Sequence, residues 1–435
     1  MKTTLHRLGV AFSAALPLFS LAACGSSGST TAADGSVTIS FLYDNGEQTV
    51  NAAKAVVQAF EAANPKIKIE TETRPAGTEG DNIIKTRLST GEMSDVFWYN
   101  SGSLLQALNP GQTLTDLTGD AVMKNVEESY LPVVTQGGKV YGVPWGTATG
   151  GGILYNRKVY EKLGLQVPKS WAEFTANNDK IKAAGLTPVI STFKDTWTSQ
   201  LFVLADFFNV QAASPTFAQD YTANKAKYAT TPAALTGFKR LEEVHAKGYL
   251  NKGFGSANLD AGIKLLAEGQ GVHYPLLTGV VPGFIGKFPQ VATDVGYFAL
   301  PGDDAAKNGA TVWEPSAAYI PKTTKHLDAA KKFLAFVASP EGAAAVAKGT
   351  PPAGPFRIKG AKLPADAVQV AKDLQVYLDN KASAPALEFV SPVKGPSLEN
   401  ITVAVGSGLT TAAEGAAQYD KDVEKQAKQL GLAGW

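Results

Sequence analysis

The chain has 435 residues, 44% of them apolar and 18% charged, which is ample for packed cores and excludes a disordered chain. Forty Lys and Arg against 39 Asp and Glu leave a net charge of +1, without the basic surface that a nucleic-acid partner demands. One cysteine excludes an intramolecular disulfide and a cysteine-rich metal site.

Residues 1–7 carry Lys2, His6 and Arg7 with no acidic residue, and an apolar run from Leu8 to Leu21 follows. This is a signal-peptide pattern, shorter than the roughly 20 residues of a spanning helix. The run ends in Leu21-Ala22-Ala23-Cys24, which resembles a bacterial lipobox; the sole cysteine stands where acylation requires it. The expectation is a signal over 1–23, an acylated Cys24 and a flexible tether through residue 35. Removal of the signal takes away Lys2 and Arg7 and leaves a net charge of −1. The tether, GSSGSTTAADG from Gly25 to Gly35, reaches about 20 Å as a random coil. Stable anchoring needs two or more acyl chains.

Ser36–Tyr43 alternates Val37, Ile39 and Phe41 and predicts a strand. Thr49–Ala63 repeats Val50, Ala53, Val57 and Phe60 at helical spacing, and Asn64-Pro65 stops it. Lys66–Glu70 predicts a strand, Asp81–Ser89 a helix and Ser94–Tyr99 a strand. Strands alternating with helices build a mostly parallel sheet covered on both faces. Its ligands sit beyond the carboxyl ends of the strands, which places Asp44-Asn45-Gly46-Glu47 and Tyr99-Asn100-Ser101 on one rim. Val140–Val143 predicts a further strand, and the Gly- and Thr-rich stretch Pro144–Gly152 a crossover between lobes. Beyond it come a strand over Ile153–Asn156 and helices over Arg157–Leu163, Trp171–Ala184 (capped by Ser170) and Leu235–Ala246. A short helix over Ile263–Glu268 runs into a strand near Val272, and Leu327–Val337 is helical.

Reaction chemistry is sparse. His6, His245, His273 and His326 have no ligand spacing, so no metal and no cofactor is expected. No G-x-S-x-G elbow, P-loop, H-E-x-x-H or G-x-G-x-x-G occurs. A glycosidase needs two carboxylates about 5 to 9.5 Å apart across one sugar, and the candidates are Glu79, Asp95 and Glu314. A turn or loop-orienting role suits Asp95, and hydrogen-bonding roles suit Glu79 and Glu314. The aromatic residues say more. Trp98, Trp145, Trp197 and Trp313 lie beside Gly, Thr, Ser, Asn or Pro near strand ends or turns. An indole face suits the C–H face of a sugar, and fixed polar side chains suit its hydroxyl rim. The alternative for each is a clamp on a lobe core, to which Trp98 leans because it shares a strand face with Val96.

Several blocks together resemble the bacterial extracellular solute-binding proteins of carbohydrate ABC importers, the group related to maltose-binding protein. They are SDVFWYNS (94–101), GKVYGVPW (138–145), ILYNRKVYEKLGL (153–165), VPKSWAEF (167–174), YIPKTTKHLDAAKKFLAFVASPEG (319–342) and ALEFVSPVKGP (386–396). The resemblance covers essentially the whole mature chain. It implies a two-lobed α/β clamp, residues 36–147 with 311–352 in lobe 1 and 148–310 with 353–435 in lobe 2. It implies a monomeric, non-catalytic receptor that takes a mono- or oligosaccharide in the interlobe cleft and hands it to a permease. By position in the family pattern the ligand contacts are Asp44, Asn45 and Glu47; Tyr99, Asn100 and Ser101; Trp145, Thr147 and Thr149; Trp197; Trp313 and Glu314; and Arg357, with Glu79 added as a hydrogen-bonding candidate. Many relatives carry a Trp after the strand near Val272, where this chain has Leu276-Leu277-Thr278-Gly279-Val280, so one stacking plane is missing. A peptide or polyamine in the same clamp, a surface glycosidase and an adhesive lipoprotein are the competing readings.

Overall fold

The computed structural model describes residues 35–435. The expected signal segment, Cys24 and the tether up to residue 34 lie outside the described residues.

In chain order the first strands are β1 (Val37–Asp44), β2 (Ile67–Arg74), β3 (Val96–Tyr99), the hairpin strands β4 (Thr135–Gln136) and β5 (Lys139–Val140), and β6 (Gly142–Trp145). They are followed by β7 (Thr149–Asn156), β8 (Thr187–Val189), β9 (Gly271–Leu277), β10 (Val295–Ala299), β11 (Ala310–Trp313), β12 (Ser316–Tyr319) and β13 (Ser383–Pro385). One sheet has the order β2-β1-β3-β12-β6, and the other β13-β11-β7-β9-β8 with β10 also on β7. Each sheet has its own core. Phe41, Phe60, Phe97, Tyr319 and Phe333 anchor the first; Phe174, Phe238, Phe298 and Tyr419 anchor the main core of the second. The two-lobed α/β architecture stands as the sequence implies.

The first sheet is parallel only across β2, β1 and β3. Strand β12 runs antiparallel to both β3 and β6, because the chain re-enters this lobe from the other one. The second sheet is also mixed: β7 is antiparallel to β9, β10 and β11. The expectation of mostly parallel sheets is therefore corrected. A second correction concerns the glycine run. Gly150, Gly151 and Gly152 are strand, not loop, and lie inside β7. Large neighbours leave no room for a side chain there: a Cβ on Gly151 would come 2.2 Å from the Trp313 ring, and one on Gly150 2.7 Å from Tyr297. The aromatic side chains of adjacent strands fold over bare backbone.

The lobe boundaries also shift. Thr311–Trp313 pairs with β7 and β13 in the second sheet, so the return to the first lobe falls at Glu314-Pro315. Phe356 and Ile358 are buried in the first core, so the last crossover follows them rather than residue 352. The helix expected over 81–89 starts earlier, at Gly77. The helices at Arg157–Leu163 and Leu327–Val337 have the expected limits. Ser170 caps Trp171–Ala183 in a capping box with Glu173.

Register brings one edge of the first sheet to the boundary. Asp44 pairs with Arg74, Ala317 with Tyr99 and Ser316 with Trp145. Those residues end β1, β2, β3 and β6 and begin β12. Facing them, Thr149 pairs with Trp313 where β7 begins and β11 ends. The connections between the sheets are accordingly short: Gly146–Ala148 and Glu314-Pro315.

Candidate functional site

A cavity of about 320 Å³ lies between the lobes. Its first-lobe wall is Gln48, Thr49 and Ala52 from the start of helix α1 (Glu47–Ala63), with Trp98, Trp145 and Ser316. Gly146, Thr147, Glu314 and Pro315 come from the crossovers, Pro351–Ala353 from the segment that leads to the last one, and Thr149, Gly279 and Pro282 close the other side. The size falls within the usual range for small-molecule sites.

Four of the expected residues meet here: Trp145, Thr147, Thr149 and Glu314. Trp145 is held by its packing on Phe41, with centroids 5.2 Å apart. Gly279 is needed beside Thr149, whose methyl carbon would lie 2.6 Å from an added Cβ. Asp44, Asn45 and Glu47 stand at the adjoining rim. Asp44 Oδ1 accepts from the Gly46 N–H at 2.8 Å and shapes the turn into α1, while Asn45 and Glu47 are exposed. The α1 N-terminus approaches the second lobe closely: a Cβ on Gly283 would come 3.3 Å from Gln48 Nε2.

Two residues of this region were not singled out as ligands. Trp98, assigned to the core by its shared strand face, is half-buried and lines the cleft. It stands one residue from the carboxyl end of β3 and also packs against the first core. Arg74 is buried at the end of β2, with its guanidinium carbon 5.6 Å from the Trp98 ring centre and 5.7 Å from that of Tyr99. Burial pulls its pKa below the usual guanidinium range, opposed by the Asp44 and Asp81 carboxylates. Its Nη1 donates to the Pro75 carbonyl at 2.9 Å, and Gly80 leaves the space it occupies. The strand expected over Lys66–Glu70 runs on to Arg74, and only the fold brings that residue against the rings of β3.

The remaining expected contacts are engaged elsewhere. Tyr99 is fully buried beneath Arg74. The Asn100 carbonyl accepts from Tyr319 Oη at 3.0 Å. Ser101 Oγ donates to the Pro315 carbonyl at 2.9 Å, which gives it a crossover to hold rather than a ligand. Glu79 is exposed in the first turn of the Gly77–Thr90 helix. Trp197 packs against the second-lobe cores, away from the cavity lining. Trp313 is likewise outside that lining; it folds over Gly151, and its Nε1 donates to Glu388 Oε1 at 2.7 Å.

Glu314 and Arg357 take each other. Arg357 Nε and Nη2 lie 2.6 Å from Glu314 Oε2 and Oε1. The side chains are 1% and 6% exposed. Two N–H donors on the two oxygens require an ionised carboxylate. Burial works against the Arg357 charge, but the Glu314 and Glu127 carboxylates outweigh it and raise its pKa. Asp95, the third candidate for paired-carboxylate chemistry, sits at the opposite end of β3 from the rim. It accepts from the Ser40 backbone and hydroxyl and from Thr324 Oγ1 at 2.6 Å. Glu79, Asp95 and Glu314 therefore occupy three separate places, and the fold does not turn any two of them to one sugar.

Among the described residues no helix is long and apolar enough to cross a membrane. The sequence profile of the bacterial extracellular solute-binding proteins matches residues 44–344. The multiple sugar-binding protein of Streptococcus mutans is 28% identical over 327 residues, covering 73% of this chain and 74% of that protein. The apo-form of RafE from Streptococcus pneumoniae superposes with a TM-score of 0.74 at 23% identity, over 91% of this chain and 98% of that one. RafE in complex with raffinose gives a TM-score of 0.71, over 91% and 100%. A profile match over well more than half the length, on a chain folded as two lobes around a cleft, settles the family: this chain belongs to the bacterial extracellular solute-binding proteins.

Proposed function

We propose that this protein is a non-catalytic receptor that captures a mono- or oligosaccharide between its lobes and delivers it to an ABC permease. The observation that carries the reading is the pairing of Trp98 and Trp145 with Gln48, Thr147 and Thr149 around one interlobe cavity. Indole faces offer a plane for sugar C–H groups, and the hydroxyl and amide side chains offer fixed partners for the sugar rim. Asn45 and Glu47, both exposed, extend the polar rim on the first-lobe side. The name of the streptococcal relative and the raffinose complex of the structural neighbour support a sugar as the ligand class.

Capture works by closure. A ligand that touches both lobes stabilises the closed arrangement by its differential affinity for it. The lipobox-like Leu21–Cys24 and the tether behind it support a lipid anchor on the outer side of the cell membrane, with the receptor acting as a monomer. Thermal unfolding against sugars, peptides and polyamines tests the proposal. A ligand at 100 times its Kd adds about 2.7 kcal/mol, so a sugar that raises Tm and is recovered intact supports it. A shift with a peptide or polyamine alone overturns the ligand class, and a sugar that is cleaved overturns the receptor.

A further inference from the structure

Three chain segments pass side by side between the lobes. Thr147 bridges to Phe356, and the Ala148 N–H donates to the Pro355 carbonyl at 2.8 Å. Glu314 belongs to neither sheet: β11 ends one residue before it, and β12 begins two residues after. The carbonyl of the next residue, Pro315, is gripped by the first lobe through Ser101 Oγ at 2.9 Å and Tyr130 Oη at 3.0 Å. Rotation of one lobe against the other therefore falls on the backbone of Glu314.

The Glu314 side chain is not free to follow that rotation. Arg357 grips both carboxylate oxygens, and Arg357 is itself fixed to the first lobe. Its carbonyl accepts from the Glu127 N–H at 3.0 Å, and its neighbours Phe356 and Ile358 are buried in the first core. A bidentate pair tolerates little tilt out of the shared plane. Breaking it strands the Glu314 carboxylate inside the protein and leaves Arg357 with only the Glu127 carboxylate, 3.6 Å away. Lobe rotation must carry the pair along or pull it apart, so the pair selects one resting arrangement of the hinge.

We infer that Glu314 and Arg357 are positioning residues that brace the hinge, and that Glu314 influences the sugar through this brace rather than by touching it. The inference rests on the receptor reading for its ligand, whereas the brace itself is a property of the empty protein.

A double-mutant cycle tests it, using Glu314→Gln, Arg357→Met and the double variant in the purified protein. Small-angle scattering of the empty protein reads the lobe arrangement, and calorimetry reads the Kd of a sugar that binds wild type. The brace predicts that each single variant alters the empty-protein scattering curve and shifts Kd at least fivefold. It also predicts that the double variant lies within twofold of the larger single effect, because two residues acting as a unit are lost once. Arg357→Lys keeps the charge without the paired donors; it shows the same displacement to a smaller degree, which covers a neutral variant that fails to fold. Single effects on Kd that multiply in the double variant would place Glu314 in direct contact with the sugar and overturn the brace. Wild-type scattering from both single variants and from Arg357→Lys would also overturn it. Altered scattering with no sugar bound by wild type would count against the receptor reading and uphold the brace.

Discussion

The guanidinium of Arg74 lies 5.6 Å from the centre of the Trp98 ring, so a charge buried at the end of one strand backs an indole at the end of another. The cation draws on one ring face and fixes the plane that the cleft presents. Trp98→Ala is expected to weaken sugar binding at least tenfold, about 1.4 kcal/mol, with a small change in Tm because the ring is half-buried. Arg74→Lys, which replaces the broad guanidinium beside the ring by a compact ammonium, is expected to weaken binding in the same direction. Calorimetry of both variants beside their melting curves checks this; unchanged affinity in folded Trp98→Ala would remove the indole from the site.

Trp313 has a different part. Its position before the returning strand marks it as a stacking residue in the family pattern, yet its N–H is committed to Glu388 and its ring covers Gly151. Trp313→Ala is expected to destabilise the fold by about 3 kcal/mol, and Trp313→Phe by less. Urea unfolding of the two variants measures the difference; wild-type stability in Trp313→Ala with lost sugar binding would return it to the ligand.

Gly354 is where the segment leading to the last crossover meets the first crossover. A Cβ there would lie 2.2 Å from the Ala148 carbonyl oxygen. Gly354→Ala is expected to cost about 1–3 kcal/mol through overpacking and to separate the crossovers. A chemical denaturation midpoint at the wild-type value would contradict this close approach.

Acid sensitivity is built into the second lobe. His273 is buried, with Nδ1 donating to Asn178 Oδ1 and Nε2 accepting from Tyr160 Oη. Burial lowers its pKa to about 3. Between pH 6.5 and about 3 the unfolded chain takes up a proton that the folded one refuses, so stability falls as pH falls across that window, by up to about 5 kcal/mol. Asp206 has the opposite sign: burial raises it to about 6, so its contribution is present below the unfolded carboxyl pKa and is lost as pH rises through 6. His273→Phe is expected to be less stable at pH 7 but flatter between pH 6.5 and 4. Parallel pH slopes for wild type and variant in urea unfolding would refute the assignment.

The strand and helix pattern was legible wherever a periodic face was long, as in β1 and the helix over Leu327–Val337. The glycine run of β7 was not, because its strand character depends on Tyr297 and Trp313 packing against bare backbone from distant strands. Trp98 packs against the first core as its strand face implies, but alternation alone did not show that the same ring also borders the cleft. Glu314 and Arg357 were both visible as polar residues near the expected cleft. Their mutual engagement was not, since nothing local tells a residue that its partner is another side chain rather than a ligand. Trp145, Thr147 and Thr149 line the cavity because they lie in or directly beside a short crossover, which leaves them little choice but the cleft.

The most direct test is calorimetric titration of the purified protein with mono- and oligosaccharides, raffinose among them, with recovery of the sugar afterwards. The account predicts one-to-one binding of at least one sugar, recovered intact, and binding weakened at least tenfold in Trp98→Ala. No heat with any sugar alongside clear binding of a peptide or polyamine, or undiminished sugar binding in Trp98→Ala, would contradict it.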